Sequence, residues 1–282
     1  YDDLMVYPSM ERSEKMYYVA KARRKEEVLG VHRSKSIGAG TDFFGIREYT
    51  RYDDYRTIDW KASARMLKLM VKEFTVEIPL NIYIMIDSSF SMGYGKPISK
   101  LDYAIDIAMM LSKISIEQHD RVGLIIFSDT IHSYVPAKSD PHNINLMLRE
   151  FALAVPSGGK NYTEAIKYLL ENTRLSGLII LLSDFEGDKE DIVEAIKLAR
   201  LHGHKVFGLH LYTPYFEDDT SEKDLLTKSA EAFIFDKYEV TRKDVMKEFV
   251  KRGGIMISVS PKMLFPLLLE QYIKAFRGGR AW

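Results

Sequence analysis

Short apolar runs alternating with longer amphipathic ones dominate the chain from Leu80 onward. Asn81–Ile86 (NIYIMI) is a β-rich apolar run that stops sharply at Asp87-Ser88-Ser89. Lys100–Gln118 then places Leu101, Ala104, Ile105, Ile107, Ala108, Leu111 and Ile114 at helical spacing, which predicts a helix. Val122–Phe127 (VGLIIF) reads as a second apolar strand and Ile131–Val135 as its hairpin partner. Helices are predicted over His142–Ala154 and Thr163–Asn172, a third buried strand over Leu178–Leu182, and a helix over Lys189–His202. Lys205–Leu211 and Ala232–Phe235 supply two more strands. Beyond Val240, the pattern predicts a helix over Arg242–Lys251, an edge strand at Ile255–Val259 and a final helix over Met263–Phe276.

Strands that are apolar throughout are buried on both faces, which is the habit of parallel strands covered by helices on each side. The alternation therefore predicts an α/β class: a doubly wound, mostly parallel, Rossmann-like sheet whose binding crevice lies at the carboxyl ends of its strands. The first third is harder to parse. Lys21–Glu27 is a charge run, read as a solvated turn or helix end, and Gly38, Gly40 and Gly45 punctuate mixed turn and short-strand signals. Met66–Val76 alternates loosely through Leu67, Leu69, Val71 and Phe74, as a strand or an extended lead-in would. Between Arg47 and Arg65, arginine, aspartate and aromatic residues interleave. Such a mixture favours bidentate ion pairs with stacked rings, and it reads as a structural brace. The stretch lacks the apolar mass for a core of its own, so it is expected to pack on the α/β domain and to bury Trp60 there. The expected organisation is an N-terminal segment over 1–78 packing on the core, the α/β domain over 79–252, and a C-terminal strand and helix extension over 253–282.

Composition narrows the functional classes. Among 282 residues, 40 basic ones balance 40 acidic ones, so no global field favours nucleic acid or an anionic membrane. Cysteine is absent, which removes disulfides, thiolate metal sites and cysteine nucleophiles together. No apolar stretch approaches the roughly 20 residues needed to cross a bilayer. The first residue is Tyr1, and Tyr1–Pro8 does not read as a secretory signal. The chain reads as a piece of a longer protein, in which any membrane anchor would lie in a segment absent here.

Candidate chemistry concentrates at Asp87-Ser88-Ser89-Phe90-Ser91, where the first core strand ends. A carboxylate and two hydroxyls at alternate positions can converge from a tight loop on one hard cation, and magnesium suits oxygen ligands of this kind. By itself the pattern is ordinarily a turn or a helix cap. Asp184, at the end of the Leu178–Leu182 strand, changes that, because the ends of neighbouring parallel strands meet at one rim. No catalytic signature accompanies them. Gly93-Tyr94-Gly95-Lys96 and Gly159-Lys160-Asn161 lack the spacing of a phosphate loop. No Gly-x-Ser-x-Gly elbow is present, and His202-Gly203-His204 reads as a loop.

Asp87, Ser89, Ser91 and Asp184 resemble the metal-ion-dependent adhesion site of the von Willebrand factor A superfamily. Asp120-Arg121-Val122-Gly123-Leu124, Phe127-Ser128-Asp129 and the Gly158-Gly159 turn support the resemblance. Together with Gly45-Ile46-Arg47-Glu48-Tyr49 and Arg56-Thr57-Ile58-Asp59-Trp60 followed by Ser63-Ala64-Arg65, the chain resembles a prokaryotic family of domains of unknown function, number fifty-eight. That resemblance implies a non-enzymatic module that docks protein partners at the rim, in complex assembly with a MoxR-type AAA+ ATPase. It also implies a place on the cytoplasmic face of a membrane. A structural scaffold with a vestigial site is the alternative reading, and a hydrolase built on Asp87 and Asp184 is a third. One departure matters. The family's third loop reads Gly-Gly-Thr, whose hydroxyl completes the metal shell, whereas this chain has Gly158-Gly159-Lys160. Either the Lys160 ammonium sits between Asp87 and Asp184 in place of magnesium, or it points outward and leaves a conventional site. In the first case Lys160→Thr is expected to restore a magnesium response.

Overall fold

The computed structural model describes residues 42–77, 79–211 and 243–259, the strand Lys35–Gly38, and the single positions Glu14 and Tyr18. The expectations for Lys21–Glu27, Ala232–Phe235 and Met263–Phe276 lie outside the described residues. The chain forms two compact units, one of 1–21 with 80–266 and one of 22–79 with 267–282.

In the smaller unit, β1 (Lys35–Gly38), β2 (Asp42–Glu48) and β3 (Met70–Glu77) form an antiparallel sheet in the order β1-β3-β2. A short helix, α1 (Trp60–Met66), precedes β3. Asp59 starts it by accepting from the N–H groups of Lys61 and Ala62, two donors that a first helical turn leaves without partners. Ser63 ties the helix to the strand, donating to the Asp59 carbonyl at 2.7 Å and accepting from the Met70 N–H at 2.9 Å. The expected brace is present. Arg47 clasps Asp53 through both terminal guanidinium nitrogens, at 2.6 and 2.5 Å, and gives its Nε to Glu73 at 2.7 Å. Trp60, expected to bury, is instead 69% exposed. It occupies the first position of α1, and Ser63 is the residue of that helix that turns inward.

The larger unit carries the expected sheet. Its strands are β4 (Asn81–Asp87), β5 (Arg121–Phe127), β6 (Ile131–Lys138), β7 (Leu178–Ser183), β8 (Lys205–Leu211) and β9 (Ile255–Val259). Their order is β6-β5-β4-β7-β8-β9, and every pairing is parallel except that of β6 with β5. β4 lies between β5 and β7, which is why Ile82 through Asp87 are all buried. Side chains alternate between faces along each strand. Tyr83, Met85, Ile179 and Leu181 meet Ala165, Ile166 and Leu169 of α4 (Tyr162–Asn172), Ile192, Ala195 and Ile196 of α5 (Lys189–Leu201), and Phe249 of the helix over 243–251. The opposite face is covered by α2 (Lys100–Glu117), which packs on β4, β5 and α3 (His142–Leu153). Among the described residues no helix is long and apolar enough to cross a membrane.

Gly123 shows how tightly the β5–β6 edge closes. The register slips between Val122 and Leu124, and a methyl group on Gly123 would meet the Val135 carbonyl oxygen and the Ala137 nitrogen at 2.9 Å each. Both are backbone atoms, so the hairpin would have to shift. Gly123→Ala should therefore destabilise by about 1–2 kcal/mol in urea unfolding, overpacking outweighing the ~0.4–1 kcal/mol gained from a stiffer unfolded chain. The brace makes a pH prediction. The Arg47 guanidinium and then the Thr50 N–H hold the Asp53 carboxyl well below the usual carboxylate range. A carboxyl whose folded pKa lies below its unfolded value stabilises at pH above the unfolded pKa and loses that contribution as pH falls through the folded one. Hydrogen exchange in β2 and β3 should accordingly rise as pH drops below ~4, after correction for intrinsic rates. Asp53→Asn should show higher exchange at neutral pH with a flatter acid dependence.

Candidate functional site

The carboxyl ends of β4 and β7 bring Asp87 and Asp184 to one rim, and both side chains are fully buried. Asp87 is the last residue of β4, in register with Phe127 of β5. Its Oδ1 accepts from the Ser89 N–H at 2.8 Å, a local turn that bends the chain out of the strand. The same bend fixes Ser88, whose N–H and hydroxyl both donate to the Phe127 carbonyl. A 3-10 turn over Phe90–Gly93 follows, with Ser89 at its start. Asp184 comes directly after β7, and Ser91 reaches across to donate to its Oδ2 at 2.7 Å. Ser89 and Ser91 hydroxyls lie 3.3 Å apart. The proton of Ser91 is used on Asp184, so Ser89 is the donor of that pair. The four residues singled out from the sequence therefore converge.

Lys160 points inward. Its ammonium hydrogen-bonds Asp184 Oδ1 and the Glu186 carbonyl, the latter at 2.9 Å, and lies 3.8 Å from Asp87 Oδ2. A second ammonium, unforeseen in the sequence, approaches from the other side. Lys100, the first residue of α2, donates to Asp184 Oδ2 at 2.6 Å with its side chain only 1% exposed. Its stem is held where α2 begins by a reciprocal cap between Ser99 and Asp102, and its nitrogen stands 6.0 Å from the centre of the Tyr94 ring. Ser183 and Tyr162 complete the shell. Ser183 donates to Asp87 Oδ2 at 2.6 Å and sits 2.7 Å from the Tyr162 hydroxyl. Its one proton goes to the carboxylate, so Tyr162 donates to Ser183.

The two carboxyls are tuned apart. Burial would raise Asp184, but the charges of Lys160 and Lys100 outweigh it and hold the carboxyl down to about 2. Burial pushes Asp87 upward, with Lys160 opposing and the Asp184 charge adding to the rise. Asp184 bonds both ammonium groups whereas Asp87 meets only Lys160, across a gap, which accounts for the difference. Formally, two carboxylates face two ammonium groups in one buried cluster.

Three large apolar side chains beside the rim are exposed. Phe90 is 72% exposed, Tyr94 50% and Val155 66%. Their two loops are bound together through Phe90 N–H to the Gly158 carbonyl at 3.2 Å and Ser157 N–H to the Ser88 carbonyl at 2.7 Å. Pro156 packs against Gly93. Gly158 makes the turn with φ of +68°, and it has no room for a side chain beside Asp129. At the end of β5, Ser128 stands 2.7 Å from His132 Nε2 and donates to Asp129 at 2.8 Å. With the serine proton on the carboxylate, the histidine acts as donor toward Ser128, and the buried hydroxyl is not set up as a nucleophile.

Among solved structures, the fold is similar to BatB of Bacteroides thetaiotaomicron, with 21% identity, 70% of this chain and 98% of that chain covered, and a TM-score of 0.50. The VWA domain of SpRpn10 matches with 14% identity over 72% of this chain and all of that chain, at a TM-score of 0.44. In sequence, the uncharacterized protein Rv1480 of Mycobacterium tuberculosis is 24% identical over 215 residues, covering 75% of this chain and 67% of its own length. With its mostly parallel six-stranded sheet, the larger unit has the von Willebrand factor A-like fold. The family model described as "Protein of unknown function DUF58" matches residues 45–219, and this chain belongs to that family.

Proposed function

We propose that this protein docks a protein partner at the rim formed by the carboxyl ends of β4, β5 and β7. The observation that carries this reading is the group of exposed apolar side chains Phe90, Tyr94 and Val155, presented on two loops fixed by backbone hydrogen bonds. Aromatic anchors on a pre-organised surface bind at low entropic cost, because little is ordered when the partner arrives. The buried cluster beneath serves as their foundation. The partner class implied by the family resemblance is a MoxR-type AAA+ ATPase, and a non-catalytic role fits the way Ser128 and His132 are tied. The inward Lys160 also favours a second reading, in which the plugged rim is only a structural scaffold.

Titration of a purified MoxR-type AAA+ ATPase against the labelled chain separates the two. On the docking reading, Phe90→Ala weakens binding by roughly 2 kcal/mol, about thirtyfold in Kd, while thermal stability is unchanged because the ring is exposed. Equal affinity for wild type and for a combined Phe90→Ala, Tyr94→Ala, Val155→Ala variant would leave the scaffold reading.

A further inference from the structure

We infer that Lys100 and Lys160 together stand where a divalent cation would, making the rim metal-independent and dependent on both lysines. The inference concerns the rim of the docking reading, but its test needs no partner.

Every carboxylate oxygen in the cluster already has a protein donor. Asp184 Oδ2 accepts from Lys100 at 2.6 Å and Ser91 at 2.7 Å, and its Oδ1 accepts from Lys160 and, at 3.1 Å, from the Glu186 N–H. Asp87 Oδ1 accepts from Ser89 N–H, and its Oδ2 accepts from Ser183. Magnesium demands oxygens at about 2.0–2.1 Å in octahedral geometry, which the ammonium of Lys160 precludes: it lies on Asp184 and 3.8 Å from Asp87. A cation there would meet strong repulsion at short range in a site of low polarisability. The donor set as folded therefore does not fit the metal.

Lys100 makes the consequence specific. Replacing Lys160 by threonine supplies the hydroxyl that the family pattern has, yet leaves Asp184 bonded to a fully buried ammonium 2.6 Å away. The site is then negative overall, but the remaining ammonium still holds Asp184 Oδ2 and repels a dication brought against the same carboxylate. The single substitution thus falls short of the magnesium site that the loop sequence alone implies. Lys100→Met keeps most of the buried stem while removing the charge. Only Lys100→Met with Lys160→Thr leaves Asp87, Ser89, Ser91 and Asp184 as an uncompensated oxygen set.

The experiment compares thermal unfolding with and without millimolar-range magnesium for wild type, Lys160→Thr, Lys100→Met and the double variant, and adds a manganese titration of wild type followed by electron paramagnetic resonance. Wild type and both single variants should show no metal-dependent shift. The double variant should gain about 5–10 °C with magnesium, the rise expected for a ligand well above its Kd. Sub-millimolar manganese binding by wild type, or a full magnesium response from Lys160→Thr alone, would overturn the inference. So would a folded double variant that ignores magnesium. If the double variant fails to fold, the wild-type titration and the single variants decide. Loss of the docking reading through the Phe90 variants would leave these metal results standing, and the reverse holds equally.

Discussion

One buried carboxylate organises the rim. Asp184 receives Lys100 from the start of α2, Lys160 from the loop before α4 and Ser91 from the turn after β4. Segments far apart in sequence are thus pinned to a single point at the end of β7. A lone buried carboxylate would carry a prohibitive desolvation cost, and paired charges offset it only when the geometry is good and the other oxygens are bonded. Both conditions are met here. Such clusters add little net stability relative to a well-packed apolar core, but removing one member is costly. That asymmetry defines one arrangement of the loops and disfavours others.

The loops so defined are what the outside world meets. The parallel sheet places the carboxyl ends of β4, β5 and β7 side by side, and the cluster locks the turns that follow them. Phe90 and Val155 then stand exposed on a backbone that cannot readily relax to cover them. Apolar exposure on a rigid support is unfavourable in isolation and useful in recognition. On the docking reading, charge chemistry below and apolar contact above are parts of the same device, with no bridging ion needed between protein and partner.

The sheet was legible because strands buried on both faces leave continuous apolar runs, and β4, β5, β7 and β8 are such runs with sharp ends. Asp87 and Asp184 were legible for the same reason, as carboxylates placed where those runs stop. Lys100 was not. It is the first residue of a helix, just after a Ser99 cap, where a lysine ordinarily reaches solvent. It is buried because α2 begins against the rim, which only the three-dimensional path decides. A capping box ahead of an apolar helix that follows a strand-end aspartate was the available signal. In the smaller unit, α1 was missed although Asp59 is a good cap, because seven residues are too few for a periodic pattern. Trp60 was expected to bury because its stretch lacks the apolar mass for a core of its own, and its position on the outer side of that helix determined otherwise.

On the metal-independent reading, two buried ammonium groups, rather than an exchangeable cation, neutralise the rim. Proton–nitrogen correlation spectra of protein labelled with nitrogen-15 at its lysines read this directly. Exposed lysine ammonium protons exchange with water too fast to be seen at neutral pH, whereas buried, hydrogen-bonded ones persist. Two persistent ammonium signals are expected, lost one at a time in Lys100→Met and Lys160→Thr, and unmoved by millimolar-range magnesium. Absence of a protected Lys160 signal, or its displacement as magnesium is added, would contradict it.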